Sequence, residues 1–159
     1  ASGSESLIES FQQEWLELIE SPAALLLDQL QPHALRVLDT WRSQGIDLIL
    51  ATHRQQRPAL LRQLGRLDLL SRFEHILPSD YRAGAQGKAA SVSDALGSAA
   101  SDVWAWIGDT PVDVLAAGHL HCRSWVVTCG VRDADVFLGL PYDLLATDLA
   151  ALPPVSQAA

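Results

Sequence analysis

The stretch Val103-Trp104-Ala105-Trp106-Ile107-Gly108-Asp109-Thr110-Pro111-Val112-Asp113-Val114-Leu115-Ala116-Ala117 decides the fold of this chain. Five mostly apolar residues open it, the mark of a short strand buried on both faces. Pro111 suits the first position of a helix, and Gly118 is expected to close that helix. Asp109 and Asp113, four residues apart, then lie just past a strand end and in the first turn of a helix.

The same alternation extends outward. Upstream, Ile46-Asp47-Leu48-Ile49-Leu50-Ala51 reads as a strand, followed by Thr52-His53-Arg54 and by a helix from Pro58 to Gly65. Phe73 to Leu77 is a weaker strand stopped by Pro78. The polar, Gly-rich run Ser79 to Gly87 reads as a loop, and a helix is expected from Lys88 to about Leu96. Downstream, 124–128 and 144–146 read as strands and 133–138 as a helix. Strand and helix therefore alternate from Pro32 onward with short connections, which predicts an α/β fold: a three-layer, Rossmann-like sandwich around a parallel sheet. Before it, Glu5–Glu20 is amphipathic at helical spacing. Ser21-Pro22 starts a second helix with a capping hydroxyl and a proline at its first position, running to about Leu30. A third helix opens at Pro32 and ends at Gly45.

Composition narrows the function. The chain has 159 residues, 48% hydrophobic and 19% charged, with mean hydropathy +0.12, which fits one globular domain. Its net charge of −8 argues against nucleic acid as a partner. No apolar run approaches the ~18 residues of a membrane span, and ASGSESLIES carries no secretory signature. Cys122 and Cys129 are too few for a disulfide framework or a zinc site, so a cytoplasmic location is expected. Methionine is absent, so a segment upstream of Ala1 is expected. Lys88 is the one lysine against ten arginines, which points to a site needing a compact ammonium. Oligomeric state has no signal here.

In parallel sheets, ligands sit beyond the carboxyl ends of the strands. A hydroxyl (Thr52), an ammonium (Lys88) and two carboxylates (Asp109, Asp113) would gather there, a set suited to a phosphate and a hard cation. The spacing of Thr52 in LILAT, Lys88 in QGK and Asp109/Asp113 in WIGDTPVDVLAA resembles the haloacid dehalogenase superfamily of phosphohydrolases, in its phosphoglycolate-phosphatase-like branch. The flanking QPHALRVLDTWRSQGIDLILAT and VVTCGVRDADVFLGLPYDLLATDLAALP are similar too. The resemblance implies Mg²⁺-dependent hydrolysis of a small phosphorylated metabolite through an aspartyl-phosphate. It implies Asp109 as metal ligand, Thr52 and the His53 amide as phosphate contacts, and Lys88, steadied by Asp113, as the catalytic cation. It also implies residues 1–31 as a partial helical cap, 32–153 as the core and 154–159 as a tail.

One family motif is missing. No Asp-x-Asp follows an apolar strand before Thr52. Asp28 lies in a stretch that reads as a helix, and Asp133-Ala134-Asp135 comes too late. The nucleophilic aspartate is therefore expected outside the visible sequence; the alternative is a catalytically inactive binding or regulatory module. A dinucleotide-binding domain is disfavoured, because no Gly-x-Gly-x-x-Gly follows a strand. Residues 82–89 fail as a phosphate loop. Arg54 reads either as a substrate contact or as a surface arginine, His119 and His121 as surface or packing residues, and the tryptophans as core. If the site is assembled as implied, Lys88 and Asp113 lie within about 4 Å of each other, and Asp109 faces an open cleft beside Thr52.

Overall fold

A computed structural model describes residues 2–130 and 132–154. Its elements run α1 (Ser2–Ile19), α2 (Pro22–Leu27), α3 (Ala34–Ser43), β1 (Ile49–Thr52), α4 (Arg57–Arg66), β2 (His75–Pro78), α5 (Gly84–Leu96), β3 (Ala105–Gly108), α6 (Pro111–Leu120), β4 (Arg123–Val127) and β5 (Leu144–Ala146). All strand pairs are parallel, in two sheets ordered β1-β2 and β3-β4-β5. The expected α/β sandwich is present, but its sheet is divided. Among the described residues, β1 and β3 each have a strand partner on one side only.

Two helical layers hold the sheets together. Strand residues alternate between them, as the two-residue side-chain period requires. Trp106 packs with Ala89 and Val92 of α5 and with Ala116 and Ala117 of α6, a cluster that also takes Ile49 and Ala51 of β1 and Leu77 of β2. On the opposite face Val37, Leu38 and Trp41 of α3 pack with Trp125, Val127 and Ala146, joined by half-buried Leu48, Ala105 and Ile107. A third cluster of Val114, Val126 and Phe137 closes the far end.

Several element ends differ from the sequence reading. Helix α5 begins at Gly84, so Lys88 lies in its second turn and the stretch read as a loop to Gly87 is partly helical. A Cβ at Gly87 would collide with that of Ala83, so the glycine there permits a close turn. Gly65 and Gly118 do not end helices; α4 runs to Arg66 and α6 to Leu120. The left-handed residues that follow are Asp68 (φ 56°) and His121 (φ 55°). A mid-helix glycine costs only about 1 kcal/mol, and packing overrides it. The stretch at 133–138 is a 3₁₀ turn, Ala134–Phe137, and α3 starts at Ala34, after left-handed His33. Four of the tryptophans are buried or half-buried as expected, but Trp15 is 44% exposed. No helix among the described residues is long and apolar enough to cross a membrane.

Helix α2 confirms the capping motif: the Ser21 hydroxyl accepts from the Ala24 N–H at 3.2 Å. Polar contacts dock α1 and α2 on the core. The Glu20 carboxylate, 6% exposed, accepts from the Gln55 and Gln56 amides at 2.7 and 2.8 Å, where α4 begins. The Arg66 guanidinium donates to the carbonyls of Leu25 and Asp28. Glu20→Ala strands two amide donors and is expected to cost about 1–3 kcal/mol; a lowered urea midpoint checks this, and an unchanged one contradicts the docking role.

Candidate active site

Thr52 ends β1. Its carbonyl accepts from the Ser79 amide at 2.8 Å, joining the loops that follow β1 and β2. Its hydroxyl oxygen accepts from the Arg54 N–H at 3.2 Å. Among the described residues no acceptor takes the hydroxyl proton, which is therefore available to an oxygen beyond the strand end.

Lys88 and Asp113 form a buried pair, Nζ to Oδ1 at 2.6 Å, as the converging loops require. The indole N–H of Trp106 also donates to Oδ1, at 3.0 Å. Oδ2 accepts from the Thr110 hydroxyl at 2.6 Å and the Thr110 amide at 3.2 Å. Burial opposes ionisation of Asp113, but the Lys88 ammonium and these hydrogen bonds outweigh it and hold the carboxyl below its ordinary range. Four donors fill the carboxylate, which leaves no lone pair for a metal and fixes the Lys88 ammonium in place. Gly108 makes the arrangement possible, since a Cβ there would collide with the Asp113 carboxyl. Lys88 Nζ also lies 5.8 Å from the Trp106 ring centre.

Asp109 departs from expectation. It does not stand free in an open cleft: it is half-buried, and its carboxylate packs so closely on Gly130 that a side chain at 130 would displace it. The loops after β3 and β4 thus shape each other. Among the described residues no cluster of three His, Cys, Asp or Glu gathers to hold a metal. Asp109 nevertheless offers one hard oxygen donor group, which suits Mg²⁺, since that ion takes one or two carboxylates and fills its remaining positions with phosphate oxygens and water.

His53 is half-buried. Its Nδ1 lies 3.1 Å from the Ser79 hydroxyl, its ring meets Tyr81 edge-on at 5.6 Å, and its buried Nε2 has no hydrogen-bond partner among the described residues. Burial, then the Lys88 ammonium, push its pKa down, so the ring is neutral at pH 7. Arg54 turns away to bond Asp28 at 2.8 Å and the Ile19 carbonyl. Asp28 caps α2, and its carboxylate is occupied by Arg54 and Gln63. It ends a helix, not a strand. His119 and His121 are exposed at the far end of α6. Trp106 and Glu20 are the polar-contact residues that the sequence reading missed. The signal for Trp106 was its indole N–H, one of two such donors (with Trp104) in an otherwise apolar run.

Lys88→Met leaves the Asp113 charge buried without its counter-ion. It is expected to cost about 3–5 kcal/mol, read as a fall in the thermal midpoint; a shift of under a degree contradicts the buried pair. His53 makes stability depend on pH. Because its folded pKa lies below the unfolded value of about 6.5, the unfolded chain takes up the proton first, and the stabilisation present above that pH is lost as pH falls through the folded value. Melting curves are expected to show this decline, and His53→Asn to flatten it; an unaltered slope in the variant contradicts the assignment.

No protein-family model and no curated protein matches the chain. Solved structures do. A haloacid dehalogenase-like hydrolase from Streptococcus pneumoniae superimposes with TM-score 0.65 at 23% identity, over 77% of this chain and 57% of its own. A predicted phosphatase from Clostridium acetobutylicum gives 0.64 at 21%, over 77% and 57%. A protein from Lactobacillus delbrueckii subsp. bulgaricus assigned as a phosphoglycolate phosphatase gives 0.66 at 17%, over 87% and 61%. The chain thus spans under two thirds of the length of these three proteins. With parallel strands, helices on both faces and the polar groups at the strands' carboxyl ends, the chain has the haloacid dehalogenase-like fold.

Proposed function

We propose that this chain carries the phosphate-binding half of a phosphomonoester hydrolase acting on a small phosphorylated metabolite. The carrying observation is that α5 lies against β1 and brings the Lys88 ammonium, held by a saturated Asp113, near enough to act on His53, the residue that follows Thr52 at the strand end. In this reading Thr52 donates to one phosphoryl oxygen and the His53 amide to another, while the amides of Arg54, Gln55 and Gln56 are taken up by Thr52 and Glu20. Lys88 offsets the charge that develops as the ester bond breaks. Asp109 would be one ligand of Mg²⁺, which supplies further charge neutralisation when bound. The setting fits a reducing cytoplasm, where Cys122 and Cys129, both free and half-buried, stay thiols.

The attacking carboxylate would come from outside these 159 residues, on a strand seated between β1 and β3, each of which has a strand partner on one side only among the described residues. That carboxylate would displace the alcohol from phosphorus to give an aspartyl-phosphate, which water then cleaves. The occupied carboxylate of Asp28 favours a second reading for the chain by itself, a module that binds phosphate without turnover.

The test is hydrolysis of an aryl phosphate with Mg²⁺ by the chain as it stands, by Asp28→Asn, and by the chain extended with an apolar strand ending in Asp-x-Asp. Negligible turnover by the first two and a gain of several powers of ten in the third is the expected result. Robust turnover that Asp28→Asn abolishes would make Asp28 the nucleophile and overturn the arrangement. An extended chain that stays inactive would leave the binding-module reading standing.

A further inference from the structure

Three aromatic rings form a run beside the Thr52–Lys88 site. The His53 ring follows Thr52 directly and meets Tyr81 at 5.6 Å. Tyr81, just past β2, meets Trp15 of α1 at 6.4 Å with the rings tilted by 59°. Large aromatic side chains are ordinarily buried, yet Tyr81 is 42% exposed and Trp15 44% exposed. Their positions are fixed by polar bonds. Asp80 accepts from the Arg82 amide at 2.8 Å, which sets the turn carrying Tyr81, and from the Gln55 side chain at 3.4 Å, which ties that turn to the loop after β1. Glu20 ties the end of α1 to the same loop through Gln55 and Gln56. Among the described residues His53 Nε2 is a buried ring nitrogen without a hydrogen-bond partner, so the imidazole is held here by its Nδ1 contact to Ser79 and its edge contact to Tyr81.

Resting on the phosphate-site reading above, we propose that Trp15, Tyr81 and His53 form its leaving-group side and select phosphomonoesters whose leaving group is planar and aromatic. A planar group stacks on one of the two exposed rings and meets the other, tilted by 59°, near its edge, while its phosphate reaches Thr52 and Lys88. An aliphatic polyol phosphate keeps the phosphate contacts and loses the stacking. The site would thus discriminate by ring, with phosphate as the shared handle.

The experiment is calorimetric titration of the chain with inorganic phosphate, phenyl phosphate and glycerol 1-phosphate, repeated on Trp15→Leu/Tyr81→Leu. Both positions are exposed, and leucine keeps apolar area while removing the rings. Phenyl phosphate is expected to bind about tenfold more tightly than glycerol 1-phosphate, and the ratio to fall to about one in the double variant. Equal binding of the two esters by the unaltered chain, or a preference that survives in the double variant, overturns this inference alone. Failure of inorganic phosphate to bind overturns the phosphate-site reading, and this inference with it.

Discussion

The contact between Lys88 and Asp113 is where the architecture and the candidate chemistry meet. An ion pair this deeply buried is tolerated only when the desolvated charges have further partners, and Asp113 has three from Trp106 and Thr110 besides the ammonium. The pair joins α5, which lies over β1 and β2, to α6, which lies over β3 and β4. Because the two sheets share no strand pairing, this polar link and the apolar cluster around Trp106 hold them in one layer. The cation that would meet a phosphate is therefore also the bolt between the halves of the sheet.

A second polar system does similar work at the other end of the site. Glu20 and Asp28 come from the helical segment; Arg54, Gln55, Gln56, Gln63 and Arg66 come from the loop after β1 and from α4. These bonds set how α1 lies over the loop that begins at Thr52. They also explain why Arg54 serves structure, although it stands two residues from Thr52: its guanidinium is taken up by Asp28 and the Ile19 carbonyl.

Much of this was legible in the residues. The alternation of apolar runs with Pro- and Gly-punctuated helices led to the parallel α/β sandwich, and Gly108-Asp109-Thr110-Pro111-Val112-Asp113 to the turn that assembles the site. Helix ends were less legible. Glycine is enriched past helix ends but does not enforce them; beyond Gly65 the helix is held by the Arg66 bonds to the Leu25 and Asp28 carbonyls, and beyond Gly118 by Leu120 against the Trp106 cluster. Lys88 was identified, but its place in the second turn of α5 was hidden by the Gly-rich spelling of residues 84–87, where small residues serve close packing and not a loop. The lean of Asp109 on Gly130 had no local signal, because it depends on two loops from different strands. The role of Trp106 was obscured because a tryptophan in an apolar strand is assigned to the core, and its N–H is easily overlooked.

Burying the chain's one lysine also changes what chemistry its surface offers. All other cationic side chains apart from histidine are arginines, and Lys88 is 8% exposed with its ammonium engaged. The folded surface therefore presents no free lysine amine to acylating reagents or to enzymes that attach groups through an isopeptide bond. Any acylation of that amine in the folded chain has to compete with the Asp113 carboxylate that holds it, so its rate rises as α5 and α6 part at the centre of the fold.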